Sequence, residues 1–293
     1  MSKAKPAPLP SGSAVGRYRV VRALASGGFG AVYLAESDSG SFVALKEYLP
    51  SALVHRPSGH TVAQVDPNKV NLYEAGLLAF LEGARILAAL QHSNVVQLLD
   101  CVQANDTAYL VTRYLQGHSL QELIFSAKSL SNPPLMQATT VRSLFVPLLQ
   151  ALEWMHGQGV VHLDIKPANI FVTLDDQPVL LDFGAVRRLG LPHGAHRPPF
   201  TPGFSAPELR ASDAQITVGA DLYGVGASIV ACISGWPPAR SPAFADAAES
   251  LPVDQSLDSP LLTLAAQCLA IEPHNRPPSA AHFLKALHDI KLL

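Results

Sequence analysis

The chain has 293 residues, 48% hydrophobic and 15% charged, with a formal net charge of −2 when histidine is neutral. So apolar a composition excludes a disordered polypeptide, and the length supplies one large domain or two packed lobes. The charge balance argues against a nucleic-acid binder held mainly by a basic face, leaving room only for a local basic patch. Three cysteines, Cys101, Cys232 and Cys268, lie far apart with no CxxC or His/Cys cluster. Neither a metal site nor a disulfide framework is expected, and free thiols in a reducing cytoplasm are the plainer reading. The opening "MSKAKPAPLPSGSAV" lacks the apolar core of a signal peptide. The longest uncharged apolar stretch, "LYGVGASIVACISGW", falls short of the roughly 20 residues that span a bilayer and reads as a buried helix. No membrane anchor is expected, and the expected location is cytoplasmic.

Residues 1–14, rich in Pro, Ser and Ala, read as a flexible tail. Strand signals follow in "YRVVRAL", "AVYLAES" and "SFVALKEYL", the last two joined by the turn "SDSG". "VHRPSGHTVAQV" predicts a second small hairpin about Ser58-Gly59. A helix is predicted over roughly 71–90, with Leu78, Leu81, Arg85 and Ala88/Ala89 at helical spacings. "NVVQLLDCV" and "TAYLVTRYL" read as strands. After Gly117 the period changes: Val141, Leu144, Phe145, Leu148, Leu152 and Met155 make one helical stripe, interrupted by Pro147. Segments 219–234, 260–270 and 279–291 are also predicted helical. The expected class is α+β: a small β-rich lobe with one main helix over 15–115, then a larger helical lobe over 116–293.

Several short motifs lie along this frame. "LASGGFGAV" (24–32) sits between two strands, where Gly27, Gly28 and Gly30 let backbone N–H groups approach phosphate oxygens. Alone it reads equally well as a glycine-rich turn. Lys46 ends "VALK"; a lone strand lysine is usually a solvated edge residue. "HLDIKPAN" (162–169) precedes the apolar run "IFV", and "LDFG" follows with Asp182 before a glycine. "TPGFSAPE" (201–208), Asp221 in "GADLYGVG" and Arg276 in "HNRPP" come next. In isolation Asp164 is a loop cap, Asp182 a turn residue and Asn169 a cap. The ordered set at these spacings is very hard to obtain by chance.

That ordered set resembles the eukaryotic-like serine/threonine protein kinases from about Tyr18 to Leu287, and "KEYLP", "FLEGARILAAL", "TAYLVTRYLQGHSL" and "TPGFSAPE" look closest to bacterial members. The resemblance implies one bilobal kinase domain over about 15–290, using ATP and Mg²⁺ and acting on protein Ser/Thr hydroxyls. Lys46 would pair with the α/β-phosphates, Asp182 and Asn169 would hold Mg²⁺, Asp164 would take the acceptor proton and Lys166 would neutralise the γ-phosphate. Leu24, Ala25, Gly27, Gly28 and Gly30 would cover the nucleotide. Val32, Ala44 and Phe171 would sandwich the purine, the backbone of Arg113 and Leu115 would meet its edge, and Thr112 would stand behind it. Serine/threonine specificity would rest on Lys166 and Thr201. Glu208 and Arg276 would form a buried ion pair.

The chain departs from the family pattern at several positions. Ala25 replaces the first loop glycine. The helix glutamate that pairs with the strand lysine should fall at Gly83. Either Glu82 serves after a local shift of about 100° around the helix, or Lys46 relies on Asp182 and the nucleotide; Glu74 lies almost opposite Gly83. Leu163 stands where many kinases have arginine, and residues 185–200 contain no Ser, Thr or Tyr. Phosphate receptor and donor are both missing, so activation by phosphorylation in that segment is not expected. Its Arg187, Arg188 and Arg197 suit an acidic substrate or partner, beside the plainer reading of a solvated loop. The alternative functions are a pseudokinase acting as a nucleotide-binding or scaffolding module, and a small-molecule kinase, which "TPGFSAPE" disfavours.

Overall fold

A computed structural model describes residues 5–130, 136–190, 199–211, 215–235, 237–238 and 260–290. The chain divides into two compact units, one of Met1–Gln91 with Val96–Leu115, the other of His92–Val95 with Gln116–Leu293.

The first unit carries strands β1 (Ala14–Val15), β2 (Tyr18–Ser26), β3 (Gly30–Ser37), β4 (Phe42–Tyr48), β5 (Val54–His55) and β6 (Gln64–Val65), helix α1 (Val70–Ala88), then β7 (Leu98–Ala104) and β8 (Thr107–Arg113). Six of the strands form an antiparallel sheet in the order β1-β2-β3-β4-β8-β7, and β5 and β6 make a separate hairpin where the sequence predicts one. Asn105 and Asp106, both at positive φ (53° and 58°), form the two-residue turn whose twist suits the β7–β8 hairpin. In β4, Val43, Leu45 and Glu47 are buried on one face and alternate with the half-buried Ala44 and Lys46.

The two faces of this sheet have different neighbours. On the Lys46 side, α1 brings Tyr73 and Phe80 to within 5.2 and 5.5 Å of the Tyr48 ring. A Cβ at Gly76 would collide with the Tyr48 hydroxyl, so this helix position must stay bare for the contact to form. On the other side lie the β5–β6 hairpin and the N-terminal segment. Residues 1–14 were expected to be a flexible tail, and for the described part this is corrected. Leu9 is 3% exposed in the same core cluster as Val43, Leu45 and Val54, and the Ala7 N–H donates to the Arg56 carbonyl at 2.9 Å. Composition misses this because prolines do not prevent a short extended segment from docking.

The second unit carries β9 (Gly117–Ser119), α2 (Leu120–Leu130), α3 (Ala138–Gly157), β10 (Val160–Val161), β11 (Ile170–Thr173), β12 (Pro178–Leu180), β13 (Arg187–Arg188), α4 (Gly219–Ser234), α5 (Pro260–Cys268) and α6 (Ala280–Asp289). The sequence reading omits α2, although Ser119-Leu120-Gln121-Glu122 spells its start. Glu122 Oε2 accepts from the Ser119 N–H at 2.8 Å and Ser119 Oγ accepts from the Glu122 N–H at 3.2 Å, a reciprocal cap. Helix α3 runs through Pro147, α4 stops at left-handed Gly235 (φ 77°), and α6 is capped by Ser279. No helix among the described residues is long and apolar enough to cross a membrane.

Candidate active site

Strands β3, β4 and β8 place one group of expected residues on a single sheet face. Val32 lies opposite Lys46, and Ala44 lies opposite Thr112. Since side chains two apart on a strand share a face, Val32, Ala44, Lys46 and Thr112 are neighbours. Leu24 and Ala25 lie on β2, and Ala25 pairs with Val32 while staying exposed, so its methyl is accommodated. The loop Gly27–Gly30 is zipped to the end of β4. Phe29 and Gly28 carbonyls accept from the Leu49 and Ser51 N–H groups at 3.2 and 2.9 Å. A Cβ at Gly30 would strike the Glu47 carbonyl, which requires glycine there. Arg113 ends β8 and Leu115 follows, still within the first unit.

On α1, Gly83 is buried and Glu82 is not a substitute for a glutamate there. Its carboxylate bonds Arg85 at 3.2 Å, and both side chains are mostly exposed (55% and 80%). Glu74 is exposed as well. An exposed pair of this kind contributes little to stability. Glu82→Gln is therefore expected to leave nucleotide affinity and phosphotransfer within about twofold of the parent, because surface changes away from special contacts are nearly neutral. A tenfold or greater loss in a steady-state assay would show that Glu82 does reach Lys46.

The second unit assembles the other group. Between β10 and β11, "HLDIKPAN" forms a loop with Asp164 at its centre. Lys166 Nζ donates to both Asp164 carboxylate oxygens at 2.8 Å. Asn169 Nδ2 donates to the Asp164 carbonyl and to Oδ2, both at 2.8 Å. Thr201 Oγ1 donates to Oδ1 at 3.2 Å and accepts from Lys166 Nζ at 3.0 Å. With its amide nitrogen so occupied, Asn169 keeps its side-chain oxygen available as a hard ligand. Asp182 sits in the left-handed region (φ 59°), its Oδ1 accepting from the Gly184 N–H at 3.2 Å, and the Leu181 N–H bonds the Asn169 carbonyl at 2.8 Å. Phe171 is half-buried on β11 beside these groups in sequence.

Buried Asp221, at the start of α4, holds the loop from beneath. It accepts from the His162 and Leu163 N–H groups at 2.9 and 2.7 Å and meets His156 Nε2 at 2.9 Å. Burial alone would raise its carboxyl. The His156 hydrogen bond and charge outweigh that, followed by His162, and hold it below the usual carboxylate range. Leu163 adopts φ 64°, a strained conformation for a leucine, and those two backbone bonds help to hold it there. Phe183 packs edge-on against the His162 ring at 4.9 Å. Of the basic segment, Arg187 is half-buried and bonds the Val186 carbonyl at 2.7 Å, Arg188 is exposed, and Arg197 lies outside the described residues.

The expected ion pair is present: Arg276 and Glu208 meet through two bonds of 2.7 Å. The sequence reading missed Glu47, a fully buried carboxylate, although a glutamate on the inward face of an alternating strand was a visible signal.

The fold agrees with the comparisons. The model of the family described as protein kinase domain matches residues 18–287. Serine/threonine-protein kinase pkn2 of Myxococcus xanthus is 31% identical over 93% of this chain and 32% of its own length. Serine/threonine-protein kinase D of Synechocystis is 30% identical over 94% of this chain and 52% of its own. The chain thus spans about a third to a half of these curated relatives. Among solved structures, PpkA-294 in its apo form superposes with a TM-score of 0.76 at 26% identity, covering 96% of this chain and 99% of that one. The kinase domain of Mycobacterium tuberculosis PknI gives 0.71 at 22% identity over 97% and 99%, a likeness of fold. Because the family match over residues 18–287 takes in the glycine loop, the Asp164 loop and the Glu208–Arg276 pair, this chain belongs to the protein kinase domain family.

Proposed function

We propose that this domain is a serine/threonine protein kinase that transfers the γ-phosphoryl group of ATP to a hydroxyl of a protein. One observation carries the reading: Asp164 is fixed by Lys166, Asn169 and Thr201, so a carboxylate, an ammonium and a side-chain amide converge at one loop. Such a reaction needs positioning and charge stabilisation more than a strong nucleophile.

The donor set fits Mg²⁺. Among the described residues no group of three or more His, Cys, Asp or Glu is assembled for a metal. Mg²⁺ does not need one, since it is commonly held by one or two carboxylates together with substrate phosphates and water. Asp182 and the Asn169 side-chain oxygen would supply the hard oxygen ligands. When bound, Mg-ATP supplies the transferable phosphoryl group. Lys46 would pair with the α/β-phosphates, and Lys166 would neutralise charge on the γ-phosphate. Asp164 receives the acceptor proton. Its Oδ1 already accepts a hydroxyl from Thr201, which supports its competence to orient a substrate hydroxyl. Val32, Ala44 and Thr112, neighbours on one sheet face, and the backbone of Arg113 and Leu115 would receive the purine, a role the resemblance also gives to Phe171. Leu24, Ala25, Gly27, Gly28 and Gly30 would cover the nucleotide.

The test is incorporation of radiolabel from ATP into a generic protein substrate, with Asp164→Asn alongside. Label entering with both proteins alike would overturn the assignment.

Leu163 supports independence from activation-segment phosphate. It is 3% exposed in an apolar cluster with Val161, Ala185, Ala206, Leu209 and Ala220, where an arginine would need an anionic partner. Phosphatase treatment of the purified protein is expected to leave its initial rate unchanged. A collapse reversed by autophosphorylation would place control at a phosphosite, with Thr201 nearest. An acidic partner at the basic segment is carried, among the described residues, chiefly by exposed Arg188.

A further inference from the structure

Behind Lys46, on the opposite face of β4, lies a fully buried polar network. Arg56 of the β5–β6 hairpin and Glu47 are both 0% exposed at their side chains. Arg56 donates to Glu47 Oε1 at 2.6 Å and to Oε2 at 2.8 Å. Tyr33 of β3 donates to Oε2 at 2.6 Å, and Tyr109 of β8 donates to Oε1 at 2.9 Å. Arg56 also donates to the Tyr33 hydroxyl at 2.9 Å, to the Thr61 carbonyl at 3.2 Å and to the Ala7 carbonyl at 2.7 Å. The Leu9 N–H closes the outer side by donating to the Tyr33 hydroxyl at 3.1 Å. Burial, followed by the Glu47 charge, pushes both phenols well up from their ordinary value, so they remain donors.

The network ties three neighbouring strands, the hairpin and the N-terminal segment to the residue next to Lys46. A buried charge pair replaced by apolar residues of similar volume is often no less stable, so stability alone is a weak reason for such a pair. Its other attested use is to fix register and geometry. Here α1 carries glycine at position 83, where the family's helix glutamate would steady the lysine, and Glu82 is turned to Arg85.

We infer that Glu47, Arg56, Tyr33 and Tyr109 are positioning residues that set Lys46 for the nucleotide from behind its strand. They act whichever group meets the ammonium, and the inference rests on the kinase reading above. Glu47 and Lys46 are adjacent on β4 and point to opposite faces, so a displacement of β4 that a loosened Glu47 permits also displaces Lys46.

The experiment compares the parent, the double variant Tyr33→Phe/Tyr109→Phe, and Val20→Ala, a core truncation in the same unit outside the network. Val20 is 1% exposed. All are assayed well below their melting temperatures, with nucleotide affinity measured by titration and KM for ATP separated from kcat. The double variant keeps the Arg56–Glu47 pair and should fold. It is expected to raise KM and the nucleotide dissociation constant about fivefold or more, the order of one lost buried hydrogen bond, while Val20→Ala leaves both near the parent. Unchanged KM and affinity in the double variant, or an equal rise in Val20→Ala, would overturn the inference and reduce the network to general stability. A parent that binds nucleotide yet transfers no phosphate would instead count against the kinase reading, and the titration would still decide the positioning role.

Discussion

Replacing Asp164 with asparagine is expected to lower phosphotransfer by roughly 10²–10⁴-fold, the usual cost of losing a general base, with nucleotide affinity nearly unchanged. The amide keeps the carboxylate's shape but removes its charge and its capacity to take a proton. It also presents an N–H₂ group toward Lys166, Asn169 and Thr201, all of which now donate to Asp164. Part of the loss will therefore come from a loop whose donors no longer find enough acceptors. Asp182→Asn is the companion. It removes a ligand charge rather than a proton acceptor, so its expected signature is weaker Mg-nucleotide binding seen in titration. Parent-level rates in Asp164→Asn would contradict the assignment of the base. Parent-level Mg-nucleotide affinity in Asp182→Asn would contradict the assignment of the metal ligand.

The second large effect is on stability. Arg276 is 4% exposed, and its guanidinium is fully committed: two bonds to Glu208, with Gly219, Ala270 and Ile271 carbonyls accepting the rest. It also stands 5.1 Å from the Tyr223 ring. Arg276→Ala leaves a carboxylate without its partner and three carbonyls without a donor. Breaking a buried pair in this way costs about 3–5 kcal/mol. At roughly 2–4 °C per kcal/mol for domains of 150–250 residues, the melting temperature is expected to fall by roughly 10 °C. The same loss should appear as a lower denaturant midpoint. Arg276→Lys should recover only part of it, because an ammonium cannot reproduce the two-pronged geometry. A midpoint within 2 °C of the parent, about the effect of 1 kcal/mol or less, would mean that the pair is dispensable.

The sequence by itself determined which segments become strands and helices wherever a period of two or 3.6 was strong. Strands β2, β3, β4 and β8, the β5–β6 hairpin and helices α3 to α6 lie where the pattern put them, with ends shifted by a few residues. It also determined the Asp164 loop, because Asp164, Lys166 and Asn169 are close enough in the chain for a tight loop to bring them together. Helix α2 was equally legible through Ser119 and Glu122, since a cap is a local bond. Tertiary structure alone decided the partners of groups buried far from each other in sequence. Asp221 reaches the His162 and Leu163 N–H groups across 59 and 58 residues, and Arg56 gathers Glu47, Tyr33 and Ala7. Periodicity tells which way a side chain faces relative to its own backbone. It carries no record of which other backbone will close over that face. For Glu47 the pattern placed a charge inward, and only the docked hairpin and N-terminal segment supplied the donors that allow it to remain there.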